Sequence, residues 1–375
     1  MNRIYQRCSR CIMDTSDKNI KFDEYGVCNH CLRYDELLSS RVVMESDSER
    51  LILDLILKIK ASGVGRKYDC IIGVSGGVDS TYVAYLVKEY GLRPLAIHFD
   101  NGWNSELAVS NIEKVLDILG IELLTYVIDW PTFRDLQISF LKASTPDMEI
   151  PTDHAINSLL FLEANKRNIK YIINGMNFAS ESMSVESWAY GHSDWKYIRS
   201  VHKNFSERKL KGYPKFNFIS LFYWTFVKRI KVISILNYIK YDKSNAIQLI
   251  EDKLKWVNYG GKHYESVYTR FIQGYILPYK FNIDKRIGHL SDLIRSYQIS
   301  RVKAIENLKI VDYNPSLMKQ DREFFLKKLG FTESDFEEIL NSPIKSYKDY
   351  PNSSSIIFNL KKMVNWLRYN NFYSK

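Results

Sequence analysis

The stretch Val74-Ser75-Gly76-Gly77-Val78-Asp79-Ser80 concentrates the residue types that hold a phosphate. The apolar run from Asp69 to Val74 before it reads as a buried strand, and Val83, Ala84, Leu86, Val87 and Tyr90 behind it recur at helical spacing. A strand therefore runs through a Ser/Gly loop into a helix N-terminus. Free N–H groups point outward there, the helix dipole favours negative charge, and glycine lets the backbone approach an anion. Ser75 and Ser80 add hydroxyl donors, and Asp79 adds a carboxylate suited to Mg2+ beside a pyrophosphate. A Walker-type loop would carry Lys before its last Ser/Thr; Asp79 stands in that place. The alternative is a Gly-rich turn of an α/β fold.

The second set is Cys8-x-x-Cys11 followed by Cys28-x-x-Cys31. Two such knuckles at this separation suit a tetrahedral four-thiolate zinc site, with Asp23-Glu-Tyr-Gly26 as the turn of a small ribbon. Four thiolates leave no open position for a substrate water, so the metal's expected role is structural. Disulfides are the alternative, and they fit poorly with a cytoplasmic enzyme. The fifth cysteine, Cys70, falls in the first strand and reads as a small buried hydrophobe.

The elements that must position these groups alternate. Strands are expected at Asp69–Val74, Pro94–Phe99, Glu122–Ile128 and Tyr171–Asn174, with helices over Ser80–Tyr90, Glu106–Leu119 and Thr152–Arg167. An earlier amphipathic helix carries Leu51, Leu55, Ile56 and Ile59 on one face. Alternation of this kind predicts an α/β fold with a doubly wound parallel sheet, whose ligands lie beyond the carboxyl ends of the strands. Three loops at or near that edge are candidates: His98-Phe-Asp100-Asn101-Gly102-Trp103, Asn174-Gly175-Met176-Asn177 through Glu181, and the segment before the Thr152 helix, where Thr152 or Asp153 would cap. Turn formation alone is the competing account of each Asp and Asn. Residues 200–243 read as an irregular, aromatic and basic insertion without a motif, and the chain beyond is helical. There, Tyr259-Gly260-Gly261-Lys262-His263-Tyr264-Glu265 leads into a helix over Ser266–Leu277 that buries Val267, Phe271, Ile272, Tyr275 and Ile276 and turns Arg270 outward. Gly-Gly before Lys262 and His263, and the pair Lys285-Arg286, suit a phosphorylated ligand; a solvated charged face is the alternative. The expected division is a zinc ribbon over 1–40, the α/β domain over 41–199, the insertion over 200–243, and the helical region over 244–375.

Composition narrows the class. The net charge of +10 admits nucleic acid, nucleotide substrates or an acidic partner, but no long basic run or RNA-binding module appears. Nothing resembles a signal peptide, and the most apolar run, Phe216 to Val227, is roughly half the length that spans a bilayer. The expectation is a cytoplasmic protein without stable membrane insertion, for which an interfacial contact through that aromatic, basic run remains open.

Ser-Gly-Gly-Val-Asp-Ser at 75–80 resembles the pyrophosphate loop of the PP-loop ATP pyrophosphatases, and further stretches resemble one branch of them. These are Cys-Ser-Arg-Cys-Ile-Met-Asp-Thr-Ser at 8–16, Gly-Val-Cys-Asn-His-Cys at 26–31 and Phe-Asp-Asn-Gly-Trp at 99–103. They continue with Asn-Gly-Met-Asn at 174–177, Tyr-Gly-Gly-Lys-His-Tyr-Glu-Ser at 259–266 and Lys-Phe-Asn-Ile-Asp-Lys-Arg at 280–286. Over about residues 3 to 310 the chain resembles the N-acetyl sugar amidotransferases of bacterial surface-polysaccharide synthesis. The resemblance implies ATP-dependent conversion of an acetamido group on a nucleotide-activated sugar to an acetamidino group, giving AMP and pyrophosphate, with Mg2+ and Zn2+ as metals. By motif position, Ser75, Gly76, Gly77, Asp79 and Ser80 would bind pyrophosphate, and His98, Asp100, Asn101 and Gly175 would approach adenosine. Lys262, His263, Arg270, Lys285, Arg286 and Asn177 would meet the sugar nucleotide. Glu181 and Asp153 would serve as metal ligands or as the base that takes ammonia's proton.

A PP-loop tRNA thiolase is the rival reading, but such enzymes rely on a cysteine or cluster beyond the loop and no cysteine follows Cys70. A non-catalytic zinc-ribbon module is a second, set against the intact loop. With four cysteines assigned to zinc, one to a strand, and Met-Asn at the start, no glutaminase nucleophile is left. Ammonia is therefore expected from a separate glutaminase through a cyclase-like channel protein, and nucleic acid is not an expected partner.

Overall fold

Five short strands, β1 (Cys70–Gly73), β2 (Pro94–Asp100), β3 (Glu122–Val127), β4 (Tyr171–Asn174) and β5 (Lys231–Ser234), form one sheet in the order β3-β2-β1-β4-β5. Every pairing is parallel; Ile72 lies opposite Ala96 and Ile173, and Ile173 opposite Ile233. This is a computed structural model, which describes residues 4–182, 185–261, 264–310 and 313–369. Side chains alternate across the pleat, so the sheet has two apolar faces. Cys70, Ile72, Ala96, Ile173 and Ile233 pack against helices Glu45–Ser62, Val78–Glu89, Glu106–Leu119 and Lys243–Leu254. Ile71, Leu95, Ile97, Phe99 and Ile172 face helices Trp130–Lys142 and Ile150–Lys166 and a larger core shared with the C-terminal helices. The doubly wound parallel α/β sheet is as expected, and burial on both faces explains why β1, β2 and β4 read as unbroken apolar runs.

Three expectations change. The helix placed at Thr152–Arg167 runs Ile150–Lys166, its first turn holding Pro151, where the missing N–H costs nothing. Neither Thr152 nor Asp153 caps it. Residues 200–243 are not irregular: they contain a helix over Phe218–Phe222 that widens into a π turn over Tyr223–Val227, and then β5. Trp224 is buried and stacks on Phe161 at 5.4 Å, which fixes this segment to the Ile150–Lys166 helix. The Ser266 helix also carries a π turn, over Ile272–Ile276, between Val267–Phe271 and Leu277–Phe281. That extra residue rotates the faces, so Tyr268 is buried with Phe271, Ile272 and Ile276 while Tyr275 is only partly so.

The N-terminal knuckles dock on the C-terminal helices rather than standing apart. Arg301 donates to the carbonyls of Cys8 and Cys11, both at 3.0 Å, and Ile12 N–H donates to the Ser291 hydroxyl at 3.2 Å. Asp17 lies buried between His30 (2.7 Å) and the Ser187 hydroxyl (2.6 Å).

Candidate active site

The chain winds from β1 through β2 to β3, then returns to place β4 on the other side of β1. The loops after β1 and β4 therefore face each other at the point where the winding reverses, where such sheets bind ligands. A cleft of about 440 Å³ opens there, lined by Ser75, Gly77, Asp79, Ser80, Gly175 and Glu181 together with residues of the 256–265 segment. The phosphate-loop residues are thus brought together with Gly175 and Glu181, which are a hundred positions away in sequence.

The loop is held in shape before any ligand arrives. Gly76 has φ +82°, a conformation that favours glycine, and a Cβ there would lie 2.8 Å from the Ala108 carbonyl oxygen. Its own carbonyl accepts from the Trp256 indole at 2.8 Å and from the Tyr259 hydroxyl. Ser80 Oγ donates to the Gly77 carbonyl at 3.1 Å and lies 3.2 Å from Ser75 Oγ. Tyr241, on the segment after β5, donates to the Asp79 carboxylate; burial, then that carboxylate, raises its phenol well above the ordinary range. Trp256 and Tyr241 are site residues outside every stretch singled out in the sequence, while Tyr259 and Glu265 lie in the 259–265 stretch without a role assigned to them. Only the neighbouring Gly-Gly hinted at the segment.

A second cleft of about 430 Å³ is lined by Arg270, Gln273, Lys285, Arg286, Tyr264 and Tyr313, among others. It collects three predicted substrate residues, but two arrive already paired. Arg270 makes a bidentate bridge to Asp321 (2.6 and 2.8 Å) and stacks over the Tyr264 ring at 4.9 Å. Arg286 is turned back on Asp284 (2.7 Å) and on the Ile310 carbonyl (2.9 Å). Tyr264 and Glu265 are adjacent in sequence and line the second and first clefts respectively.

Between the clefts lies a group of carboxylates. Gln273 donates to Glu149 at 2.8 Å, and Asp147 accepts from the N–H groups of Tyr190 (2.9 Å) and Gly191 (3.1 Å). Asp153 is exposed to solvent in the first turn of helix Ile150–Lys166, although protein crowds around it. Burial, then Glu149 and Asp147, push its carboxyl up to about 8; Lys285 opposes the rise and Glu181 adds to it. These couplings join Lys285 of the second cleft to Glu181 of the first.

Other predicted residues lie elsewhere. His98 is buried, with Nδ1 3.0 Å from the Val74 carbonyl and Nε2 3.1 Å from Asn104. Asp100 accepts from Gly102 N–H (2.8 Å) and Asn101 from Trp103 N–H (3.1 Å), so these carboxylate and amide groups build the turn rather than line the cleft. Asn177 is buried and caps helix Phe178–Glu181 through Ser180 N–H at 2.8 Å, a structural use in place of the expected substrate contact. Lys262 and His263 lie outside the described residues. Lys280, in a basic stretch, is buried and donates to the carbonyls of Ile339 and Leu340, capping helix Glu333–Asn341.

The four cysteines converge as expected. Their sulfurs all lie within 4.8 Å of one another, with Cys8–Cys31 at 4.0 Å and Cys11–Cys28 at 3.6 Å. A tetrahedron with Zn–S bonds of about 2.3 Å has edges of roughly 3.8 Å, so the set suits zinc in size and donor type. Among the described residues no other group of three or more His, Cys, Asp or Glu converges this tightly.

The parallel sheet with its phosphate-holding loop at the switch point is that of the PP-loop ATP-using proteins, and residues 69–215 match the family model described as queuosine biosynthesis protein QueC. Residues 265–368 match the model described as LPS biosynthesis protein WbpG-like, C-terminal domain, and the two matches together support a WbpG-like PP-loop protein. An uncharacterized protein of Methanocaldococcus jannaschii is 28% identical over 120 residues, 32% of this chain and 41% of that one. The tRNA-specific 2-thiouridylase MnmA of Serratia proteamaculans is 28% identical over 155 residues, 38% of this chain and 37% of the relative. The chain thus spans about two fifths of the length of these curated relatives. Among solved structures, NH3-dependent NAD synthetase from Campylobacter jejuni aligns over 56% of this chain and 94% of its own at 16% identity and TM-score 0.29. NMN synthetase from Francisella tularensis aligns over 51% and 98% at 12% identity, also with TM-score 0.29.

Proposed function

We propose that this protein is an ATP-dependent amidotransferase that acts on the acetamido group of a nucleotide-activated N-acetyl sugar. The observation that carries the reading is the pair of clefts. One is built on the phosphate loop and the other on the basic residues of the WbpG-like region, and carboxylates join them. An amide carbonyl is a poor electrophile, so its oxygen must become a leaving group. Attack of that oxygen on the α-phosphorus of ATP forms an O-adenylyl imidate and releases pyrophosphate into the loop of Ser75, Gly77 and Ser80. Ammonia then adds to the imidate carbon, loses a proton, and the C–O bond breaks to release AMP. Loop N–H groups and hydroxyls oppose the charge that develops on the phosphates, an effect of about 2–4 kcal/mol per well-placed donor.

Asp153, whose carboxyl is pushed up to about 8, is the group we assign to take ammonia's proton, and the charge of Glu181 contributes to that rise. Asp79, Glu181 and Glu265 line the first cleft and are the residues that would hold Mg2+. They do not close into a cage, which suits an ion that keeps waters and bridges phosphate oxygens. Bound there, the metal would neutralise phosphate charge. Lys285 is placed to meet the sugar diphosphate, whereas Arg270 and Arg286 shape its cleft through their own carboxylate partners.

The thiolating alternative suggested by the 2-thiouridylase relatives lacks a sulfur carrier. Cys70 is fully buried and burial pushes its thiol well up, and the other four cysteines cluster together. Incubation with ATP, ammonium and a panel of uridine-diphosphate N-acetyl sugars tests the proposal. AMP formation that depends on the sugar, with the small mass loss of replacing oxygen by NH, is expected; ADP as product refutes it.

A further inference from the structure

Beside the edge strand β5, the helical segment from Phe218 to Val227 presents an apolar face to solvent. Ile219, Phe222, Tyr223, Phe226 and Val227 stand at i, i+3, i+4, i+7 and i+8 and are 41 to 79% exposed. That spacing is one continuous face of a helix. The face is held rigidly. Trp224 points inward onto Phe161, Asn217 caps the first turn through Ser220 N–H at 2.9 Å, and Phe222 and Phe226 pack at 4.9 Å.

The surroundings carry one sign of charge. From Arg208 to Lys231 the sequence holds seven Lys or Arg and no Asp or Glu. Lys228 lies over the Tyr223 ring at 5.5 Å, and Lys170 donates to the Lys228 carbonyl at 2.9 Å. Arg66, Lys228 and Arg229 are close enough to Lys170 to add to the lowering of its ammonium that partial burial begins. Lys231 pairs with Tyr171 at the start of β5 and β4, so this cationic rim sits at the amino ends of these strands.

We propose that this face docks on an anionic lipid bilayer. Exposed aromatic side chains flanked by Lys and Arg alone suit the acyl–headgroup boundary of such a surface. A protein interface of this kind would instead be depleted of lysine.

Sedimentation of the full zinc-loaded chain with extruded vesicles tests this, using phosphatidylcholine alone and phosphatidylcholine mixed with phosphatidylglycerol. Binding is expected only to the mixed vesicles and should fall with added salt. Phe222→Ser with Phe226→Ser, and separately Lys228→Glu with Arg229→Glu, should each weaken partitioning by at least about tenfold while zinc content stays unchanged. Absence of pelleting, equal binding to both vesicle types, or charge-reversed protein that binds as well as the parent would overturn the proposal. So would loss of a dimer or of a protein partner, rather than of vesicles, in the Phe222/Phe226 variant.

Discussion

Gly175 offers the sharpest test of how the first cleft is built. A Cβ placed there would lie 2.9 Å from the Asp79 carbonyl carbon, 3.0 Å from Ser80 N and 3.1 Å from Asp79 Cβ. Ordinary contact begins at 3.4 Å, and two of the three atoms are backbone at the start of the helix that cradles the anion. In Gly175→Ala the loop must therefore retreat by roughly 0.5 Å, the tolerance within which a preorganised site keeps its geometry. Overpacking of this kind costs about 1–3 kcal/mol. At about 2–4 °C per kcal/mol for chains somewhat shorter than this one, Tm should fall by several degrees. Misplacing the phosphate donors should reduce AMP formation about a hundredfold and weaken ATP binding measured calorimetrically. Gly73→Ala is the matched control, since its Cβ would meet only Leu160 methyls at 3.6 and 3.7 Å. An alanine at 175 with parental Tm and ATP affinity would refute the claim that close approach of the two loops builds the site.

The other predictions concern metal, pairing and pH. Cys28→Ser should abolish the single equivalent of zinc measured by metal analysis and lower solubility with it; an iron–sulfur spectrum in the parent would refute the zinc assignment. Arg270→Met removes the cation of a largely buried bridge and leaves Asp321 with Tyr313 alone, so urea unfolding should show about 3 kcal/mol of lost stability. Asp153 has a folded-state value near 8 against an ordinary value near 4, so the fold holds a proton that the unfolded chain releases. Its stabilising contribution is whole below about pH 4 and is lost as pH rises toward 8. Asp153→Asn should flatten that fall in Tm, and a parental slope in the variant would assign the effect to other groups.

Much of this was legible in the sequence, and the exceptions have identifiable causes. β1, β2 and β4 announce themselves because burial on both faces makes each an apolar run. β5 does not: four residues, Lys231–Ser234, sit among aromatic and basic neighbours, and only pairing with β4 makes them a strand. The phosphate loop and the cysteine knuckles are local patterns and were complete as read. Arg270 was legible as a cation, but its partner Asp321 is 51 positions away and nothing local links them. Asn177 shows the reverse, because its turn chemistry was visible and it proves to be the reason the residue is there. The indole of Trp256 and the phenol of Tyr259 reach the Gly76 carbonyl across about 180 residues of sequence, a contact that only the folded chain creates.

The cysteine cluster bears on the chemistry although it touches neither cleft's phosphate-binding residues. Arg301 takes both of its carbonyl partners from the first knuckle and begins helix Arg301–Lys309. The far end of that helix supplies Leu308 and Lys309 to the wall of the second cleft, and the next residue, Ile310, holds Arg286 in place. Ser291, bonded to Ile12 N–H, lies on helix Lys285–Arg295, whose first residue is the cation facing Asp147 and Asp153. Two of the helices that line the second cleft are therefore tied to the ribbon, one at its first residue and the other at Ser291. The first cleft depends instead on the sheet and on the 256–265 segment. A zinc ion held by the four thiolates would fix the knuckle carbonyls that Arg301 reads, and with them the wall of the second cleft. Under the proposed function, a structural metal held there would act on how the acceptor is held while leaving the phosphate loop untouched.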